Sequence, residues 1–435
     1  MILDYRSHLG VNKEGNLTIG SIDTLELARI FGTPLYVIDE ERIRERYQEF
    51  LGAFTALYPK VEIRYAYKAN ASLSVCHILR REGAGADALS YGDIKTALLV
   101  GLKPGQIIFT GNNKTDEELE LAVDAGITIN IDALHELRRL KRICSKKNKN
   151  AGVSFRINPS VSPKTHPHLA TGLKESKFGI HEEEALKAYK EARDLGFRIL
   201  GIHMHIGSQI TEVSPYKEAT VKLLDIAGNL KKELGLDLEF VDLGGGLGIR
   251  YEESKEYITP RDLAEALVPI LREKIEDYGL KEPVLYLEPG RYIVGDSAVM
   301  LTRVSTIKQT PYKKFIGVDA GFSVFPRPFL YNAYHEVIVA NKMKAGGEEA
   351  VDIAGDVCET GDILARDRKL PKVEEGDILA FLDAGAYCIA MASQYNLRPR
   401  PAEILVCKGE YELIRERETL DDLLAKQRVP ERLKK

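Results

Sequence analysis

The chain has 435 residues, 44% of them hydrophobic and 29% charged, with acidic and basic residues interspersed to a net charge of −4. That composition describes a globular protein with a sizeable core, and it excludes the basic stretches that nucleic acid or an anionic membrane surface requires. No run approaches the roughly 20 apolar residues needed to span a bilayer.

The opening segment, MILDYRSHLGVNKEGN, has no basic stretch followed by an apolar one, so no signal peptide is expected. The five cysteines (Cys76, Cys144, Cys358, Cys388, Cys407) are odd in number and never spaced C-x-x-C, which argues against a disulfide framework or zinc ribbon. A cytoplasmic protein is the expectation. The first 30 or so residues are strand-and-turn in character.

From residue 61 to 288, short apolar runs alternate with amphipathic stretches. The predicted strands are VEIRYAY (61–67), ADAL (86–89), QIIFT (106–110), ITINI (127–131), GVSFRI (152–157), ILGIHMHI (199–206), LEFVDL (238–243) and PVLYLE (283–288). Helical patterns such as PYKEATVKLLDIAGNLKKELG, closed by Gly235, separate them. Eight nearly all-apolar strands with intervening helices predict a parallel sheet covered by helices, and the span suits a TIM-like (β/α)8 barrel. An open doubly wound sheet would need a Gly-rich turn after its first strand, and none follows Tyr67. Past residue 290 the strand-like runs are joined by turns without long helices, predicting a mainly antiparallel β domain, sandwich- or barrel-like. The expected division is a barrel domain over 31–288, and a β domain made of 1–30 and 289–435. The latter ends in a short helix with Thr419 as N-cap and Asp422 three residues on.

Reactive groups of such barrels sit at the C-terminal ends of the strands. Those ends read Lys68, Asp87, Gly111–Asn112, Asp132, Asn158, His205–Gly207–Ser208, Gly244–Gly246 and Glu288–Arg291. Lys68, alone, reads as a solvated strand-end lysine more readily than as a reactive amine. Its apolar, aromatic context would disfavour the ammonium form. His203 and His205, two apart on a strand, share a face. They read as a metal pair, as packed core histidines, or, for His205, as a flat ring against a planar cofactor. The lack of a further Cys or HExxH ligand weighs against metal, and none is expected. The glycine turn DLGGGLG follows the seventh strand and EPGR the eighth, where barrels commonly bind phosphate. Glu288 would serve as an acid/base group or keep a pyridine nitrogen protonated. Together these groups suit pyridoxal 5′-phosphate. In the second domain, Cys358 lies beside acidic residues, a setting suited to a thiol that donates a proton. Arg327 and Tyr331 share a loop as a carboxylate clamp would, although an exposed Arg and a packed Tyr explain them equally.

The motifs YAYKAN, HIGSQI, VDLGGGLG, EPGR, CETGDILARD and GAYCIAMASQYNLRPRPAE, in this order, resemble those of the diaminopimelate decarboxylase family among fold type III pyridoxal-phosphate enzymes. The resemblance spans about residues 30–425. It implies that Lys68 bonds covalently to the cofactor and His205 stacks on its ring. Ser208, Gly245, Gly246, Pro289, Gly290 and Arg291 would line or hold its phosphate, and Glu288 would pair with the ring nitrogen. Tyr387 would reach both phosphate and substrate. Cys358 would be the proton donor, and Glu359 a substrate ligand, both arriving from the partner subunit of a homodimer with active sites at the subunit interface. Arg291, Arg327 and Tyr331 would hold the distal end of the substrate. The family more often has Ser than the Thr found at position 360. The implied reaction is decarboxylation of meso-2,6-diaminopimelate at its D centre to L-lysine and CO2, the last step of lysine biosynthesis. Relatives acting on ornithine, arginine or carboxynorspermidine are the alternative, and Arg327 argues against a diamine precursor with a cationic far end. A racemase would carry arginine where Glu288 stands, and a non-catalytic regulator would lack Lys68 or Cys358.

Overall fold

The computed structural model describes residues 3, 5–163, 166, 171–172 and 175–434. They form two compact units, one of residues 43–250 and 254–294, the other of residues 1–42, 251–253 and 295–435.

The first unit is a closed barrel of eight parallel strands: Val61–Ala66, Gly85–Ala88, Ile107–Phe109, Thr128–Ile131, Gly152–Asn158, Arg198–His203, Phe240–Asp242 and Val284–Leu287. Each strand pairs with the next in sequence, and the eighth closes on the first through Leu285–Leu287 beside Val61–Ile63. Local chemistry sets the intervening helices. Thr115 and Thr259 start theirs as capping boxes with Glu118 and Asp262. Gly126 and Gly235 end theirs in the left-handed conformation. The outer faces of the strands carry the apolar residues seen in the sequence, but the fifth strand alternates. Val153, Phe155 and Ile157 separate Ser154, Arg156 and Asn158, so one face is polar. Register sets Asn130 beside Ser154, and His203 between Arg156 and Asp242. The barrel interior is therefore a buried polar network.

The second unit is a mainly antiparallel sheet built around the long strand Ala298–Gln309, which pairs with Leu35–Asp39, Lys314–Val318 and Ile378–Phe381. Strands Val337–Val339, Glu349–Ala354, Ile363–Leu370, Ala402–Cys407 and Glu410–Arg415 complete it, and two apolar clusters pack its faces. Residues Leu9–Val11, Leu17–Ile19 and Ile22–Asp23 form a small sheet of their own, joined to this unit by the Leu17 N–H on Ala340 O. The C-terminal helix Leu420–Leu424 carries the expected capping box of Thr419 and Asp422. The units divide after Arg42 and Val294, not at residues 30/31 and 288/289. The reason is hydrogen bonding: Leu35–Asp39 is apolar enough to read as a barrel strand, yet it pairs with Ala298–Leu301 and Ala402–Val406. At the other end, Arg291–Val294 forms a short helix that continues the loop after the eighth strand.

One barrel contact is stability alone. Lys114, 1% exposed, donates to Glu136 Oε1 at 2.8 Å and to Asn130 O at 2.7 Å. Removing one partner of a buried pair strands the other charge, whereas removing both does not. Lys114→Met is expected to lower stability by about 3 kcal/mol in urea melts, and Lys114→Met/Glu136→Gln by clearly less. A double variant as unstable as the single would contradict the pairing.

Candidate active site

The first strand stops at Ala66, and a single 3₁₀ turn over Tyr67–Ala69 presents Lys68 at the barrel mouth. The Tyr65 hydroxyl donates to Asn70 O at 2.9 Å and ties that turn down. Lys68 Nζ donates to Asp87 Oδ2 at 3.0 Å, from a side chain 30% exposed, while Asp87 is fully buried. The apolar surroundings expected from the aromatic run are thus replaced at the amine by a carboxylate. Tyr65 and Tyr67 are instead buried against each other, 5.8 Å apart. Thr110 also donates to Asp87. Burial, with the charge of Glu288, pushes the Asp87 carboxyl above its usual range in spite of Lys68 and Thr110.

Glu288, just beyond the eighth strand, is buried at the end of a directional chain. Ser154 Oγ donates to Asn130 Oδ1 (2.8 Å), Asn130 Nδ2 to His203 Nδ1 (3.0 Å), and His203 Nε2 to Glu288 Oε2 (3.2 Å). Burial alone would push the Glu288 carboxyl up. The His203 contact and the charge of Lys68 outweigh it and hold the group below its ordinary value. Asp242, buried beside it, moves well upward, through burial and the Glu288 charge. The pair therefore keeps its proton on Asp242 and its charge on Glu288. Protonated Asp242 shares a hydrogen bond with Glu288, and among the described residues no N–H or hydroxyl reaches Glu288 Oε1. His203, Asp242 and Glu288 place potential ligand atoms within 4.8 Å of one another. Both ring nitrogens of His203 are engaged, however, one accepting and one donating, so no lone pair is left for a metal.

His203 and His205 do not share a strand face, because the strand ends at His203. His205 turns outward, half-buried, where its Nδ1 accepts the Gly245 N–H at 3.3 Å. Burial, then Lys68 and Arg156, hold its pKa well below the usual value, leaving a neutral flat ring. The glycine turn presses on its neighbours. A Cβ on Gly245 would collide with the Glu288 carbonyl, and one on Gly246, where φ is +104°, with the Gly207 carbonyl. Gly290 packs likewise on Ala66 and Ala69 beside Lys68, and Pro289 O accepts the Ala66 N–H at 3.3 Å. Arg291, 4% exposed, donates to Ser208 Oγ at 3.0 Å. One barrel mouth thus gathers Lys68, His205, Ser208, Gly245, Gly246, Glu288, Pro289, Gly290 and Arg291. An ionised carboxylate, a flat neutral ring, an amine and a glycine cradle with a buried guanidinium fit a phosphorylated pyridine aldehyde.

The remaining predicted residues lie in the β unit. Arg327 and Tyr331 are on the short helix Arg327–Tyr331, one turn apart on one side, rather than on a loop. Arg327 is buried, 3% exposed, and its guanidinium stands 4.5 Å from the Tyr251 ring centre. Tyr387 is half-buried with φ +58°, a backbone region that a bulky residue rarely occupies. Cys358 and Glu359 are exposed on a turn. Asp362 pins that turn through the Val357 N–H (2.8 Å), and Asn396 Oδ1 accepts the Cys358 N–H (3.2 Å). Tyr395 donates to Glu359 Oε1 at 3.1 Å. Asn130, His203 and Asp242 support the site from the last or next-to-last positions of their strands; the predicted strands run on to Ile131, Ile206 and Leu243, so reading their ends looks past these residues. The polar alternation of the fifth strand was the available signal.

Residues 40–295 match the family model described as the pyridoxal binding domain of pyridoxal-dependent decarboxylases. Diaminopimelate decarboxylases of Methanothermobacter thermautotrophicus and Archaeoglobus fulgidus are 49% and 47% identical, over 98% and 96% of this chain and 98% of each relative. A crystal structure of the M. jannaschii diaminopimelate decarboxylase with L-lysine superposes with a TM-score of 0.92 at 43% identity, covering 98% of both chains. A lysine/ornithine decarboxylase from Vibrio vulnificus, 23% identical with a TM-score of 0.77, shares the fold. With the lysine, carboxylate and glycine turns of the barrel mouth in place, the chain belongs to the pyridoxal-phosphate-dependent decarboxylases, in the diaminopimelate decarboxylase family.

Proposed function

We infer that this chain decarboxylates meso-2,6-diaminopimelate at its D centre, releasing CO2 and L-lysine as the last step of lysine biosynthesis, with pyridoxal 5′-phosphate as cofactor. The observation that carries the substrate class is Arg327, a buried guanidinium with no carboxylate within ion-pair distance among the described residues. A buried cation left without a counter-charge is costly, so the site asks for an anion from the ligand. The second carboxylate of diaminopimelate supplies one, and the far amine of ornithine does not.

When bound, pyridoxal phosphate supplies the electron sink for the carbanion left by loss of CO2. Lys68 provides the amine that anchors it covalently, and Asp87 accepts from that amine when it carries its proton. Glu288 is the carboxylate that would face the ring nitrogen, with His203 fixing its Oε2 and Asp242 carrying the proton beside it. His205 stacks on the ring. Ser208, Gly245, Gly246, Gly290 and Arg291 hold the phosphate, with Pro289 shaping the turn, and Tyr387 closes on phosphate and substrate. Arg291, Arg327 and Tyr331 hold the distal end of the substrate. Cys358 gives its proton to the α-carbon, and Glu359 binds the substrate beside it. The exposure of both on one turn supports a homodimer in which each chain lends this turn to the other's barrel mouth. Among the described residues no helix is long and apolar enough to cross a membrane. The five cysteines are free thiols, which fits the reducing cytoplasm.

The protein loaded with pyridoxal phosphate is expected to absorb in the visible, with the band abolished by borohydride. Lys68→Ala should lack that band and lose turnover by about a thousandfold or more. A colourless wild-type protein, or an active Lys68→Ala, would contradict the cofactor role. Mixing inactive Lys68→Ala with inactive Cys358→Ala should restore about a quarter of wild-type activity, since a mixed dimer would carry one intact site and one doubly defective site. No recovery, from subunits shown to exchange, would place Cys358 in the same chain's site.

A further inference from the structure

His335 is wholly buried in the β unit, eight residues beyond Arg327. Arg327 Nη1 lies 2.6 Å from His335 Nε2, and His335 Nδ1 lies 2.9 Å from Leu382 O. Guanidinium can only donate and a carbonyl can only accept. The two contacts together fix one form of the ring: Nδ1 carries the hydrogen and Nε2 offers its lone pair to Arg327. The rings of Phe325 and Tyr251 stand 4.7 and 5.0 Å from the imidazole, at 63° and 68°, and leave it one orientation. Tyr251 also lies beneath the guanidinium, 4.5 Å from its centre. Arg327 is thus held by a neutral acceptor and an aromatic face, and Arg327 Nε has no partner.

We propose that His335 is the positioning residue for substrate recognition: it orients the Arg327 guanidinium without neutralising it, and so keeps a full positive charge for the carboxylate of the ligand. The distinction is one of charge. An aspartate or glutamate at this position would orient Arg327 equally well but would consume the charge that the ligand must meet. With no acceptor at all, the arginine would be free among its rotamers, and binding would have to order it. The proposal rests on the reading of Arg327 as the group that binds the distal carboxylate.

The test compares two product-like inhibitors of the pyridoxal-phosphate-loaded protein. L-Lysine retains that carboxylate, and cadaverine has none. His335→Leu removes the acceptor. It is expected to weaken L-lysine inhibition and raise KM for meso-diaminopimelate by about 10- to 100-fold, with kcat changed less than about threefold and cadaverine inhibition less than about twofold. His335→Gln, whose amide can both accept from Arg327 and donate to Leu382 O, should recover most of the loss. Equal weakening of lysine and cadaverine, or a fall in kcat alone, would overturn the proposal in favour of a merely structural histidine. Arg327→Met separates the underlying reading. If it leaves the lysine-to-cadaverine ratio unchanged, Arg327 does not bind the carboxylate. If it collapses that ratio while His335→Leu does not, only the role of His335 fails. Should His335→Leu not fold, long-range 1H–15N spectra of wild-type protein labelled in histidine give the tautomer directly. Nδ1–H with bare Nε2 is expected, and a hydrogen on Nε2 would overturn the proposal.

Discussion

Keeping one carboxylate ionised deep in a protein is the constraint around which the barrel is built. An isolated buried carboxylate takes up a proton rather than remain charged. Glu288 escapes this because the His203 N–H reaches one of its oxygens and the Lys68 charge lies near, while Asp242 carries the proton of the pair. Holding His203 in the donating form in turn requires Asn130, and holding Asn130 requires Ser154. Four strands are committed to one charge. The polar face of the fifth strand and the register that sets Asn130 beside Ser154 follow from that need.

The same economy of contacts shapes the mouth. Glu288 sits where the seventh and eighth loops crowd together, and the crowding leaves no room for a side chain at Gly245. Without side chains there, the backbone of the turn leaves room for a ligand to approach closely, and Arg291 adds a buried positive charge linked to Ser208. Lys68 enters from the first strand, already engaged with Asp87. Negative charge below and positive charge at the glycine turn suit a ligand that is cationic at its ring nitrogen and anionic at its phosphate.

The β unit solves the converse problem with Arg327, a cation buried without a counter-ion among the described residues. Phe325, Tyr251 and His335 supply packing and a lone pair, but no charge. Tyr387 in a left-handed conformation is a further local cost that packing must offset. Much of this could be read in the sequence. All eight barrel strands were legible as apolar runs, since burial by helices on the outside leaves a strong signal, and the motif order placed the mouth residues. Three features were not legible. Leu35–Asp39 pairs with a strand some 260 residues away, and an apolar pentapeptide does not record its partner. His203 was read as sharing a face with His205, because the end of a strand depends on hydrogen bonds from its neighbours. The link from His335 to Arg327 depends on a helix over Arg327–Tyr331 that two prolines disguised as a loop.

The central claim, that a charge balance built from Glu288 and Arg327 selects a dicarboxylic diamine and removes one carboxylate, is tested most directly by CO2 release. The substrates to compare are meso-diaminopimelate, its L,L isomer, lysine, ornithine and arginine, each with product analysis. The account predicts turnover of the meso isomer to L-lysine, with the monocarboxylic substrates at background. Faster CO2 release from ornithine than from meso-diaminopimelate would contradict it.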